Sequence, residues 1–491
     1  MEGKSVSSGP AFRENVASGV RWGFITALVT QFGRFAFIVV LMRLLGPQNY
    51  GIISQAAIFI AIAQLFVHFG MAASIIQSPS LSEKEAGTAF WMNIGLALAI
   101  TVTLIFCAPL IASLFDTEEL TSVIRLLTIS IIIKSITIVP IALLTRKLQF
   151  RALSITEILS TLISGTLGVA AALWGAGYWA LVVQAICLEV CTLIIIFMIS
   201  GFPELGWSSS TARRLWSFSS RLMGADLVNY ASSNSDKFLI GWFLGPIALG
   251  LYSLAFRVLQ FVLQICGQIG GVILPTFCRL QEDRERLARV FLEVTESVAI
   301  AICPLMVLIV MCAPIGVPAV FGEAWVGATV PFQLLAAMTV PYVLVAFMGP
   351  LTVAVGRPDL EFLWGVATAV MSLVAFAIGL LWGIVGVAAS YLIIASIQLP
   401  IRLLIIERLI PIRARDYVQA LLPSATCSSV LAIAWLIAEV LLEGTLSGLV
   451  QLIVASAFGA AAYAIALWIA WPDVLNRQLN FFQLVLRRKQ A

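Results

Sequence analysis

The sequence predicts an all-α polytopic membrane protein of fourteen transmembrane helices. They form two six-helix lobes in parallel repeat, followed by a C-terminal helix pair. Three observations lead there. The first is composition: of 491 residues, 61% are hydrophobic and 11% charged, with a mean hydropathy of +1.03. Soluble domains average about 25% charged residues, and apolar runs of about 20 residues read as membrane spans. The second is the placement of lysine and arginine, and the third is a turn written twice.

In chain order the spans fall at 22–44, 50–76, 88–114, 121–145, 155–174, 178–200, 216–243, 247–277, 294–315, 328–354, 361–382, 384–406, 418–441 and 446–470. Basic residues outside them occupy alternate connections: around Lys4 and Arg13, at Lys84, at Arg146 to Arg151, at Arg213 and Arg214, at Arg279 to Arg289, at Arg357, at Arg408 to Arg415, and from Arg477 on. The intervening connections carry none. Cytoplasmic loops hold the excess of Lys and Arg, so both termini are expected in the cytoplasm. Span 216–243 is the least apolar of the set.

The repeated turn is "LGPQNYG" at Leu45 to Gly51 and "LGPIALG" at Leu244 to Gly250, an offset of 199 residues; Ser54 and Ala56 answer Ser253 and Ala255. A second echo links "WGAGYWA" from Trp174 with "WGIVGVA" from Trp382, an offset of 208. Each pair joins equivalent spans six apart, so the repeat keeps its orientation and its axis lies along the membrane normal. The expected organisation is an N-terminal lobe over 1–200, a cytoplasmic linker over 201–215, a second lobe over 216–410, and the extra pair and tail over 411–491. The linker, "GFPELGWSSSTARR", is rich in Pro, Gly and Ser, which favours turns.

Several spans carry polar residues at helical spacing, which puts them on one face. The first has Thr30, Gln31 and Arg34; the second Gln64 and His68. The seventh has Ser219, Asp226, Tyr230, Ser233 and Lys237, with Asn229 and Asp236 beside them; the eighth has Ser253, Arg257, Gln260, Gln264 and Gln268. Such faces must meet protein or a water-filled cavity. Counted from the repeated turns at 1.5 Å per residue, Arg34 lies roughly 18 Å deep, Arg257 roughly 16 Å and Lys237 roughly 12 Å. Buried cations on spans of both lobes are costly, and a polyanionic ligand would justify them. The competing reading is structural: Asp236 neutralises Lys237 or Arg257, and the glutamines join helices. Lys134 and Glu189 fit either reading.

Other chemistry is not indicated. "GKS" at Gly3 to Ser5 lacks the upstream glycine of a phosphate loop. One histidine and no C-x-x-C pair among eight cysteines argue against a metal site, and no cofactor is expected. The acidic "FDTEEL" at Phe115 to Leu120 reads as a solvated loop. A net charge of +4, located between spans, does not point to nucleic acid. The N-terminus has no signal-peptide pattern.

From about Val20 to about Ile410 the chain resembles the polysaccharide-transporter type of lipid-linked oligosaccharide flippase, within the multidrug/oligosaccharidyl-lipid/polysaccharide (MOP) exporter superfamily. The stretches that carry the resemblance are "LMRLLGPQNYGIIS", "FGMAASIIQSPSLSEKEAGTAFWMN", "LTRKLQFRALSITEI", "GYWALV" and "SSNSDKFLIGWFLGPIALGLYSLAFRV" followed by "PTFCRLQ". It implies a MATE-like fold whose two bundles alternate between inward- and outward-open V shapes. It also implies a cationic cavity lined by spans 1, 2, 7 and 8, the spans already marked by polar faces. In the related lipid II flippases an added helix pair forms a groove for the lipid tail, and spans 13 and 14 are candidates for that role.

The expectation is a bacterial inner-membrane flippase, not an enzyme, for a polyprenyl-pyrophosphate-linked oligosaccharide used in surface polysaccharide synthesis. Arg34, Lys237 and Arg257 would hold the pyrophosphate; Gln31, Asn229, Gln260 and Gln264 would bond sugar hydroxyls. Asp226 and Asp236 are candidates for ion coupling. The expected partners are the lipid-linked substrate, membrane lipids and other polysaccharide-assembly proteins. One rival is an ion-coupled multidrug-type exporter of the same fold, which would favour carboxylates where span 1 has Arg34. The other is a membrane glycosyltransferase or polysaccharide ligase, which would need larger outer loops.

Overall fold

The computed structural model describes residues 10–68, 75, 82–201, 206–442 and 448–478. The described residues contain helices and turns and no strand. Among the described residues, ten helical stretches are long and apolar enough to cross a membrane. The chain divides into two compact units, Met1–Gly250 and Leu251–Ala491.

Unit 1 opens with α1 (Pro10–His68), which bends at Gly46, where φ is +72° and ψ 171°. No Cβ at Gly46 would meet a neighbour, so glycine is required there by its backbone conformation. Pro47 follows at the first position of the new helical segment, where its missing N–H costs nothing. The second copy is built alike. Gly245 has φ +79°, and Pro246 sits in the first turn of α8 (Gly245–Arg279). The Trp-Gly echo repeats the left-handed glycine without the proline, with Gly175 at φ +82° and Gly383 at φ +68°.

Between these turns lie α2 (Glu83–Leu114), α3 (Glu119–Arg146), α4 (Phe150–Leu173) and α5 (Trp179–Ser200). A capping box starts α2: Glu85 N–H donates to the Ser82 hydroxyl and Ser82 N–H donates back to Glu85, satisfying two otherwise orphaned donors. The core of this unit joins α1, α2, α3 and α5 through Ile60, Val67, Ala108, Val123, Ile131 and Val182. Phe238 is its contribution from beyond residue 200.

The span expected at 216–243 is two helices, α6 (Ser209–Ser233) and α7 (Ser235–Phe243). They part at Asn234, which has φ −126° and ψ 12°. The physical cause is local: Ser232, Ser233, Asn234 and Ser235 follow one another, and short polar side chains compete for backbone partners. The Asn234 side chain donates to Tyr230 O at 3.1 Å, and Ser235 Oγ donates to Ser232 O at 3.0 Å. At its other end α6 is capped by Ser208 and tied to α2. Ser208 N–H donates to Thr88 Oγ1 at 2.8 Å, and Arg214 pairs with Glu85.

Unit 2 contains α9 (Arg284–Phe321), a 3-10 turn (Glu323–Ala328), α10 (Thr329–Ala346), α11 (Met348–Ala354), α12 (Pro358–Gly379), α13 (Gly383–Glu407), α14 (Ala414–Leu442) and α15 (Gly448–Ala470). Its core is built around Phe277, Phe291, Met306, Phe347, Met348, Leu351, Ile406 and Tyr417. The final pair, α14 and α15, seats on α9. Ser424 Oγ donates to Ala299 O at 2.7 Å and Tyr463 Oη to Ile300 O at 2.9 Å. Cys312 and Ser456 approach to 3.2 Å. Two further links, Arg477 to Glu296 and Gln478 to Ser297, extend the seam.

Candidate functional site

Among the described residues of unit 1, three polar groupings involve the ionisable residues expected inside spans. The first is the break between α6 and α7. Lys237 Nζ donates to Asn234 Oδ1 at 3.0 Å, while Asn234 Nδ2 holds the end of α6. One amide therefore joins both halves of the break. Asp236, 1% exposed, accepts from the Lys237 N–H at 2.8 Å. It stands in the first turn of α7, where the helix dipole favours a negative charge. The backbone at the break stays bonded, Asn234 N–H donating to Tyr230 O at 3.0 Å and Asn234 C=O accepting from Phe238 N–H at 3.1 Å, so the break offers side chains to a ligand; discontinuous helices commonly form transporter sites.

The second place is between α1 and α4. Arg34 Nη2 donates to Glu157 Oε1 at 3.0 Å, and both side chains are half-exposed. Glu157 is absent from the residues expected from the sequence. The signal was present as an acidic residue near the start of span 155–174, but nothing in the primary structure aligns it with Arg34, 123 residues away. The third place links α1, α3 and α5. Lys134 Nζ donates to Gln64 Oε1 at 3.1 Å and lies 3.9 Å from Glu189.

Among the expected site residues, the structure thus joins Asp236 and Lys237 at one break and sets Arg34 against a carboxylate instead of alone. Gln31 is half-buried on α1. Arg257 and Gln260 belong to unit 2 on α8, Arg257 exposed and Gln260 half-buried. The side chains of Asp226, Asn229, Gln264, Gln268 and His68 lie outside the described residues. Among the described residues, no group of three or more His, Cys, Asp or Glu could hold a metal ion.

Unit 2 holds a charged cluster that the sequence reading passed over. Arg402 on α13 is 0% exposed. It pairs with Glu361 of α12, donates to Thr352 Oγ1 at 3.0 Å, and stacks over the Trp364 ring at 5.0 Å. One guanidinium so ties α11, α12 and α13 together.

Comparison with known proteins agrees with this architecture. The teichuronic acid biosynthesis protein TuaB of Bacillus subtilis (strain 168) is 26% identical over 481 residues, covering 96% of this chain and 99% of that protein. The succinoglycan biosynthesis transport protein ExoT of Rhizobium meliloti (strain 1021) is 24% identical over 385 residues, covering 78% of each. Among solved structures, the lipid II flippase MurJ in an inward closed conformation superposes with a TM-score of 0.71 over 92% of this chain and 100% of its own. At 13% identity that likeness speaks to the fold. A family model described as "Polysaccharide biosynthesis protein" matches residues 40–330. More than half of the chain falls within that match, and the chain belongs to the polysaccharide biosynthesis protein family.

Proposed function

We propose that the chain is a flippase that moves a polyprenyl-pyrophosphate-linked oligosaccharide across a bacterial inner membrane by alternating access. The observation that carries this reading is the α6–α7 break, where Asn234, the buried Asp236 and Lys237 meet. A lipid-linked sugar needs three things of its carrier: cations for the pyrophosphate, amides for the hydroxyls, and an apolar surround for the tail. Lys237, Arg34 and Arg257 supply the first. Gln31, Gln260, Gln264 and Asn229 supply the second. The names of relatives support the substrate class: one is a teichuronic acid biosynthesis protein, one is a succinoglycan biosynthesis transport protein, and the structural neighbour is a lipid II flippase.

In this reading the chain crosses the membrane fourteen times, with both termini in the cytoplasm. The lobes are 1–200 and 216–410, joined by the linker 201–215, and the pair within 411–491 shields the lipid tail. The chain performs no covalent chemistry. Asp226 and Asp236 are the groups through which an ion could couple. Other polysaccharide-assembly proteins would supply and consume the cargo.

The deciding experiment uses purified protein in proteoliposomes loaded with a fluorescent polyprenyl-pyrophosphate-linked oligosaccharide. Transbilayer movement is followed by the access of a lectin or a membrane-impermeant quencher. Movement faster than in protein-free vesicles, and lost in Lys237→Ala, is expected. Equal rates with and without protein would reject the reading.

A further inference from the structure

Helix α9 runs on through Pro304, Pro314 and Pro318. A proline inside a helix has no N–H to give, so the carbonyl four residues back loses its partner. Pro304 strands Ile300 O, and Pro314 strands Val310 O. In water a solvent molecule would take the vacant place. In a hydrocarbon core it cannot, and another part of the protein must.

Both carbonyls are met by a side chain from a different helix. Tyr463 Oη of α15 donates to Ile300 O at 2.9 Å. Gln333 Nε2 of α10 donates to Val310 O at 3.0 Å. The device recurs in unit 1, where Arg125 Nε of α3 reaches Ile105 O at 3.5 Å; that is the carbonyl stranded by Pro109 in α2. Beside Ile300, the fully buried Ser424 of α14 donates through Oγ to Ala299 O at 2.7 Å. The two helices of the C-terminal pair therefore place one hydroxyl each on consecutive carbonyls, in the turn that ends at Pro304. An apolar seat surrounds the contact: Ile300 and Tyr463 pack against a cluster of Cys427, Leu467 and Val474.

We propose that the C-terminal helix pair is a brace for α9, in which Tyr463 returns to Ile300 the hydrogen bond that Pro304 removes. The inference goes beyond the transport reading and holds whatever the cargo is. It gives Tyr463 a positioning role. One turn away on α9 its hydroxyl would meet a carbonyl with a helical partner of its own and leave Ile300 O bare. The stranded carbonyl so fixes the depth and the rotation of α15 against α9, which apolar packing alone does only loosely in lipid. The rival account is a generic seam, in which the hydroxyl takes any carbonyl within reach and Pro304 is incidental.

A double-mutant cycle on the full-length protein in lipid nanodiscs decides between them, read by hydrogen exchange over residues 298–310 of α9. Tyr463→Phe keeps the ring and removes only the hydroxyl. It should speed exchange in that segment about three- to tenfold, the scale of one neutral hydrogen bond. In a Pro304→Ala background the restored N–H bonds Ile300 O within the helix. There the same Tyr463→Phe change should alter exchange by less than about twofold, since the two sites share one acceptor. Equal acceleration in both backgrounds would make Tyr463 an ordinary seam contact and overturn the brace. Unchanged exchange in Tyr463→Phe alone would overturn it too, and that result decides the matter even if Pro304→Ala does not accumulate. Ser429→Ala on α14 is the control, because the Ser429 hydroxyl bonds within its own helix at 2.9 Å. Acceleration there as large as in Tyr463→Phe would mean a general loosening of the pair and would also reject the brace.

Discussion

Arg34 on α1 donates to Glu157 on α4 at 3.0 Å, and each side chain stays 45% exposed. A cation that is paired yet open on one side can exchange its carboxylate for a pyrophosphate without becoming a bare buried charge. Such half-exposed pairs add only about 0–1 kcal/mol to stability. Arg34→Ala is therefore expected to accumulate normally. Loss of one charge-assisted contact, about 1.5–3 kcal/mol, predicts a roughly 10- to 150-fold fall in flipping. The swap Arg34→Glu with Glu157→Arg separates the roles. A purely structural pair is restored by it; a ligand contact is not.

Asn234 holds both ends of the helix break. Asn234→Ala removes two hydrogen bonds worth about 0.5–1.5 kcal/mol each and lets α6 run on into α7. The protein should remain in the membrane with a modestly lower melting temperature, and flipping should be abolished. Full activity in Asn234→Ala would mean the break itself is dispensable.

Arg402 is enclosed, and its partner Glu361 has 37% of its side chain exposed. Because Glu361 is partly solvated, removing Arg402 costs mainly its charge-assisted hydrogen bonds, about 1.5–3 kcal/mol each, and the packing of its enclosed side chain. Arg402→Ala should lower the melting temperature sharply and reduce accumulation. The pair Arg402→Met with Glu361→Gln should recover most of the loss, because neither charge is then left alone. Failure of the double variant to recover would assign Arg402 a role beyond neutralising Glu361.

Orientation is tested with cysteines at exposed loop positions of a cysteine-free variant. Glu118→Cys should react with an impermeant reagent from outside, and Gln149→Cys and Ser209→Cys should not. Labelling of Gln149→Cys from outside would break the fourteen-crossing arrangement.

The driving force is tested in proteoliposomes. One elementary charge crossing 100 mV is worth about 2.3 kcal/mol, so a pyrophosphate with roughly two negative charges gains about 4–5 kcal/mol moving outward. A potassium-diffusion potential, negative inside, should accelerate single-turnover outward flipping. Since Arg34 with Glu157 is neutral as a pair, the emptied site gains less from the same field on its return, and multiple turnovers should respond more weakly. A response only to a proton or sodium gradient, lost in Asp226→Asn or Asp236→Asn, would instead make the protein an ion-coupled antiporter.

Much of the architecture was legible in the sequence because a membrane imposes simple local rules. Apolar length reports helices, and the doubled "LGP" reports a turn of the same build at two places, since a left-handed Gly followed by Pro at a helix start is written in adjacent residues. Polar residues on spans 1, 7 and 8 were visible for the same reason: a helix converts spacing into a face. What the sequence could not determine is which face meets which. Glu157 stands opposite Arg34, Gln55 reaches Gly241, and Glu361 neutralises Arg402 only after helices far apart in the chain have packed. The break at Asn234 also escaped, because average hydropathy over a span is blind to one residue leaving the helical conformation. Above all, the sequence showed that the turn occurs twice. Only the tertiary structure decided that Gly51 and Gly250 are glycines because each copy rests on the other's proline carbonyl, a steric demand that exists nowhere until both are in place.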